Sequence, residues 1–349
     1  KQRRSDDVAE PLKNHFDQPL IELLADRFSR AAHTFDGAMF TKRLLDGFPE
    51  LELKDRINLV ADTLRDLLDN DYEQALDVVV EVAESDDVEG FAAWPLCSFV
   101  ERHGTGHPAA SLAAMDRLTR QFSCEFALRP FLDQHLELAL EHCRRWTEST
   151  SAEVRRLPSE GTRPLLPWGP RVESLTAYPE LGISLLTRLR HDPDETVRRS
   201  VANHLNDIAR EHPDRVVELA RTWSAEAATN PAMIRHALRG LVKKGHTGAL
   251  AVLGFTTDPS VEVRQFEVSP ARISLGESIE LEAAIASTSP EIQRLVIDFV
   301  VHHLNANGES SPKVFKWTTL DLAPEEVVTL SKKRKIATAS TRRYHAGRH

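Results

Sequence analysis

Over residues 18–255, apolar positions recur three and four apart and are broken at short intervals by turn residues, a pattern that predicts paired α-helices. The clearest pair lies in HDPDETVRRSVANHLNDIAREHPDRVVELARTW, residues 191–223. Val197, Val201, Leu205 and Ile208 form the stripe of one helix, and Val216, Val217, Leu219 and Ala220 begin that of the next. Asp192 before Pro193 marks a helix start, and His212 with Pro213 separates the two helices. That punctuation predicts a HEAT-type repeat. Earlier pairs are more degenerate: 20–28 with 40–48, 57–68 with 75–82, and 91–100 with 112–122. Stacked pairs predict an all-α solenoid with a concave face suited to gripping another macromolecule.

After Phe255 the period changes to two, with β-branched residues alternating in VEVRQFEV, SIELEAAIA, LVIDFVVHHL, KVFKWTTLDL and VVTLSKKRKI. Gly, Ser, Asn and Pro turns separate these strands at the spacing of a small all-β immunoglobulin-like sandwich. The predicted organisation is a helical-repeat domain over 10–257 and a β-sandwich over 258–349 that stops short of its last strand.

Composition narrows the class. The chain has 349 residues and a formal net charge of −9. No apolar run approaches the roughly 18 to 20 residues needed to cross a bilayer, and no signal peptide is legible, so a cytoplasmic protein is expected. Cys97, Cys124 and Cys143 are far apart without a CxxC pair, which predicts buried reduced thiols and neither a disulfide framework nor a zinc knuckle. His135 and His142 lack a third ligand at metal spacing, and neither GxxxxGKS nor GxGxxG occurs, so no metal and no nucleotide cofactor is expected.

Against the acidic background, the stretch 142–171 holds six arginines (144, 145, 155, 156, 163 and 171) and three glutamates (148, 153 and 160). Such a local reversal of charge is the footprint of a polyanion site. A charged inter-helix loop over a core tryptophan is the competing account. CEFALRPFL at 124–132 and CRRWTESTSAEVRRLPSEGTRPLLPW at 143–168 resemble the alkylation-repair DNA glycosylases built from HEAT-like repeats, specifically their AlkC branch. Some members of that branch carry a C-terminal immunoglobulin-like module.

The resemblance implies a monofunctional enzyme that acts as a monomer on alkylated double-stranded DNA. It would release cationic bases, chiefly N3-methyladenine, without extruding them from the stack. An already cationic base leaves without a proton donor, and the remaining difficulty is the oxocarbenium-like charge on the sugar. A carboxylate stabilises that charge and orients water, and Glu125 and Glu160 fit the role, with Asp207 assisting. Glu125, among Phe122, Cys124, Phe126 and Leu128, needs a partner, which Arg129 one helical turn on would supply. Glu160 is expected on a turn beside Gly161, whose missing side chain would let backbone approach a ligand. Trp168, between Pro167 and Gly169-Pro170, presents a face to a cationic base or sugar, whereas Trp94, Trp146 and Trp223 read as core.

Arg156 and Arg163 are the best phosphate ligands, and Arg129 joins them on the DNA-binding surface. Arg199 and Asn203 lie on the polar face of the helix that carries Asp207, where they would line the groove. In the basic tail, Lys332, Lys333, Arg334, Lys335, Arg342 and Arg343 would clamp the DNA backbone, a salt-dependent contact. The rival reading is a non-catalytic α-solenoid scaffold that binds protein or nucleic acid. Charges clustered around Glu125 and Glu160 favour the enzyme, since a scaffold's charges should be spread along its repeats.

Overall fold

The computed structural model describes residues 11–68, 71–337 and 344–349. The chain divides into two compact units, one made of the residues up to His212 together with Glu226–Ala237, the other of Pro213–Ala225 and Leu238–His349.

The first unit begins with α1 (Gln18–Ala31), α2 (Gly37–Gly47), α3 (Leu53–Leu67), α4 (Tyr72–Ala83), α5 (Trp94–His103) and α6 (Pro108–Leu118). Then come α7 (Arg129–Gln134), α8 (Leu136–Trp146), α9 (Ala152–Gly161), α10 (Glu173–Ala177), α11 (Glu180–Leu189) and α12 (Glu195–Ile208). Short polar side chains start several of them by taking up otherwise orphaned N–H groups. Asp17 accepts from Leu20 N, Asp36 from Met39 N, Ser151 from Val154 N, and Asp194 from Thr196 and Val197 N.

Stacking runs largely between non-consecutive helices: α1 on α4, α4 on α6 and α6 on α8 in one layer, with α3 on α5 and α9 on α12 in the other. Turns over 119–128 bridge α5 and α9, with Cys124 Sγ against Cys97 Sγ at 3.3 Å and Leu128 against Gly161. Phe28, Phe40, Leu64, Phe99, Phe131 and Trp146 are buried between the layers, each contributing roughly 1.5–3 kcal/mol of transfer energy. Trp94 and Trp223 are also buried, as their apolar helical faces predict.

Two local expectations change. Residues 125–128 form turns, and the helix starts only at Arg129 with Pro130 behind it, so Glu125 and Arg129 do not share a helical face. Pro130 has no N–H to give the Phe126 carbonyl and its ring crowds that oxygen, which stops the helix from extending back through Glu125. Glu160, expected on a turn, lies in the last turn of α9, which continues through Pro158. Thr162 Oγ1 donates to the Pro158 carbonyl at 2.6 Å and closes that end.

The second unit holds α13 (Pro213–Ser224) and α15 (Thr247–Val252), and the division falls within α14 (Pro231–Lys243). Five strands follow: β1 (Val261–Ser269), β2 (Ser278–Ser287), β3 (Gln293–Leu304), β4 (Ser310–Leu322) and β5 (Val327–Lys335). They form an antiparallel β1-β2-β5 sheet and a β3-β4 hairpin sheet. Ala283, Ile285, Leu295 and Leu322 make the buried core, with Trp317 and Leu330 packed against it. The helices followed by an all-β immunoglobulin-like domain match the fold class read from the pattern.

Period-two geometry also splits the basic run of β5 between two faces. Lys332 and Arg334 turn inward. Lys332 Nζ donates to the carbonyls of Lys316 (2.6 Å) and Trp317 (3.1 Å), and the Arg334 guanidinium lies 3.6 Å from the Phe315 ring centroid. Lys333 and Lys335 remain exposed, Lys333 opposite Glu280 on β2. The expected six-residue clamp is therefore not one patch, and Arg342 and Arg343 lie outside the described residues. Among the described residues no helix is long and apolar enough to cross a membrane.

Candidate active site

Helical spacing on α9 puts Arg156 and Glu160 on one face, and Arg163 follows one turn later. Opposite them, α12 presents Ser200, His204 and Asp207, while the 119–128 turns supply Ser123 and Glu125. The result is a chain of alternating charge. Glu125 Oε2 lies 3.0 Å from Arg156 Nη1, and Arg156 Nη2 lies 3.5 Å from Glu160 Oε2. Glu160 Oε1 then meets Arg163 Nη1 at 2.5 Å, and Arg163 Nε donates to Asp207 Oδ2 at 2.8 Å. Three carboxylates thus alternate with two guanidinium groups.

Burial deepens along the chain. Side-chain exposure is 16% for Glu125 and 29% for Arg156, but 7%, 9% and 5% for Glu160, Arg163 and Asp207. Buried charges are tolerated only when paired and hydrogen-bonded, and the inner members are. Glu160 has both oxygens taken, because Ser200 Oγ donates to Oε2 at 2.6 Å. Burial pushes the Asp207 carboxyl up, against the pull of Arg163. Glu125 differs: Ser123 Oγ and Arg156 both bond Oε2, and among the described residues Oε1 accepts no hydrogen bond. The outermost carboxylate keeps one oxygen free.

Arg129 is not part of this chain, and Arg156 takes its expected place beside Glu125. Arg129 is 1% exposed and spends its donors on carbonyls. Nη1 bonds Gly161 O (2.9 Å) and Arg163 O (2.7 Å), while Nε and Nη2 bond Pro170 O (3.0 and 2.6 Å). Burial, with the nearby charge of Arg163, pulls its pKa down to about 10. Neither Arg129 nor Arg163 offers a free fork to phosphate, which corrects both assignments; Arg156 alone of the three is half-exposed. Gly161 also changes meaning, since a Cβ there would fall 2.7 Å from Leu128 Cδ2. The close approach serves packing rather than a ligand.

Pinning Pro170 from within shapes the loop before it. Trp168 has φ 65°, a left-handed conformation that costs a non-glycine residue about 1–2 kcal/mol. Its side chain is 65% exposed. From the other side Lys54 Nζ donates to Trp168 O at 2.8 Å. Arg199 pairs with Glu195 at the surface, and Asn203 accepts from His236 Nε2 at 2.9 Å. Arg155 is bound bidentately by Asp192.

Ser123, Ser200 and His204 escaped the sequence reading. Ser200, His204 and Asp207 follow i, i+4, i+7 spacing and flank the Val197–Ile208 stripe, a signal available on a helical wheel. His204 Nδ1 donates to Ser159 O at 2.9 Å, and a Cβ on Gly182 would fall 2.7 Å from its Nε2, so only glycine admits the ring. Burial drags the His204 pKa from 6.5 to about 3, against the bond to Ser159. Below pH 6.5 the unfolded chain therefore takes up a proton that the folded chain refuses. Stability is expected to fall by about 1.4 kcal/mol per pH unit from this group between about pH 6 and 3.5, and to be flat above 6.5. Urea unfolding at pH 7 and 5 checks this. The wild type should lose about 2 kcal/mol more than His204→Asn; equal losses would contradict it.

Comparisons with known proteins bear on the family and the fold. A family model described as the C-terminal Ig-like domain of the uncharacterised protein YhaZ matches residues 262–349. The chain is 32% identical over 339 residues to YhaZ of Bacillus subtilis (strain 168), an alignment covering 97% of this chain and 94% of that protein. It superposes with a TM-score of 0.90 on the Pseudomonas fluorescens alkylpurine DNA glycosylase AlkC bound to DNA containing an abasic site analog. That match is 34% identical and covers 96% of this chain and 93% of the other. The chain belongs to the HEAT-like-repeat alkylpurine DNA glycosylase family, in its AlkC branch with a C-terminal immunoglobulin-like domain.

Proposed function

We propose that this protein is a monofunctional DNA glycosylase that hydrolyses the N-glycosidic bond of cationic alkylated bases in duplex DNA, chiefly N3-methyladenine. The observation that carries the reading is the Glu125–Arg156–Glu160–Arg163–Asp207 chain, with its excess carboxylate and its one free carboxylate oxygen at the open end. A site of that charge stabilises a cation, and here the cation is the sugar. As the bond from C1′ to the base breaks, the electron pair goes to the cationic base, which leaves neutral. Glu125 faces the resulting oxocarbenium charge and orients the water that attacks C1′, whose proton passes to the carboxylate or to solvent.

Glu160 and Asp207 act through the two arginines, keeping Arg156 turned toward Glu125. The exposed Trp168 indole meets the cationic base or sugar by a cation–π contact worth on the order of 0.5–2 kcal/mol. The reading includes an approach from the sugar side with the base left in the stack, as the HEAT-like glycosylase resemblance implies. Arg156, whose two terminal nitrogens are engaged by Glu125 and Glu160, holds the Glu125 carboxylate in place. The helical body to residue 257 carries the chemistry, and the module over 258–349 adds backbone affinity through Lys333 and Lys335. Incubation with methylated duplex should release free N3-methyladenine and leave an alkali-labile abasic site. Methylated DNA recovered with its bases intact would end the reading.

A further inference from the structure

The geometry points to Lys54 as a positioning residue that sets the distance between the Trp168 indole and the Glu125 turn. Lys54 sits in the first turn of α3, where the helix dipole disfavours a cation, and Glu52 at that N-terminus makes no side-chain cap. Local helix energetics therefore do not account for a lysine there. Its contacts do. The ammonium donates to Trp168 O at 2.8 Å and stands 4.8 Å from the centroid of the Phe126 ring, one residue beyond Glu125. Phe126 is in turn fixed against Trp94 at 5.8 Å.

One half-buried side chain thus ties the left-handed loop to the turn that carries the free carboxylate. Arg129 holds the same loop from inside through Pro170 O, so the strained φ of Trp168 is clamped on two sides. Without Lys54 the outer clamp is gone, and the loop is free to relax toward an ordinary φ. A second charge supports the placement: burial pushes the Glu101 carboxyl on α5 up, and Lys54 is the first charge opposing that rise.

The inference rests on the glycosylase reading for its catalytic consequence, and its test has one arm that does not. In single-turnover assays on methylated duplex, Lys54→Met should slow base release by about 10-fold, since small misplacement of reacting groups is costly. Lys54→Arg, which keeps a donor and a cation over Phe126, should restore the rate to within about threefold. Affinity for unmodified duplex should stay within about twofold, and Lys54→Met added to Trp168→Ala should cost nothing further. Additive losses, or a drop in duplex affinity with a shallower salt dependence, would make Lys54 a phosphate contact and overturn the assignment. The independent arm is acrylamide quenching of Trp168 emission without DNA, taken as the difference from Trp168→Phe. It should change in Lys54→Met and not in Lys54→Arg; unchanged quenching in Lys54→Met overturns the assignment. If wild-type protein releases no base, the glycosylase reading fails and quenching alone decides the role of Lys54.

Discussion

Glu125→Gln should slow single-turnover release of a cationic base by roughly 100-fold, about 2.7 kcal/mol, with binding to unmodified duplex little changed. Glutamine keeps the shape and can still accept from Ser123 and Arg156, but it removes the charge that faces the sugar cation. Fold stability should hardly move, because Glu125 is the outermost and most exposed carboxylate of the chain. Glu160→Gln is a different experiment. Glu160 is the buried carboxylate between two arginines and accepts from Ser200 and Arg163, so its loss weakens buried charge-assisted hydrogen bonds, about 1.5–3 kcal/mol each, and should lower stability as well as rate. An unaltered rate for Glu125→Gln in a folded protein would remove the carboxylate from the mechanism.

Arg129→Met should lower unfolding free energy by about 3–5 kcal/mol, because three carbonyls lose their charged donor, two of them buried. For a chain of this size that is roughly a 4–7 °C fall in Tm. Arg129→Lys should recover only part of it, since an ammonium cannot reproduce a fork that reaches Gly161, Arg163 and Pro170 together. The salt dependence of DNA binding by the folded fraction should not change, because the guanidinium is buried. Wild-type Tm, or a salt slope reduced by about one phosphate contact, would return Arg129 to the DNA surface.

Much of the fold was legible because periodicity reports burial directly. The five strands fall where alternation placed them, and the stripe of α12 is buried as its spacing predicts. What the pattern could not carry was partner choice. Glu125 and Arg129 are four apart, yet Pro130 breaks the helix that would have joined them. The true partner, Arg156, is distant in sequence and is brought in by the packing of Leu128 on Gly161. The charge reversal over 142–171 drew attention to the right segment but not to the fate of each arginine. Arg155 and Arg163 are consumed by Asp192, which read as a helix start, and Asp207, which read as an assistant to the carboxylate pair rather than as the partner of an arginine. In β5 the basic composition was plain, and alternation, applied to charges as it was to apolar residues, would have divided it. Lys54 gave no signal at all, because its bond is to a backbone oxygen 114 residues away.

The account rests on cation stabilisation without protonation of the leaving base, and one comparison tests it directly. Duplexes of one sequence, carrying either N3-methyladenine or a neutral base such as hypoxanthine at one position, are incubated with excess protein, and free base is quantified. The account predicts release of the cationic base at a rate at least 100-fold above that of the neutral one, with Glu125→Gln slowing release of the cationic base by roughly 100-fold. Equal release of both bases, or release of neither, would contradict it.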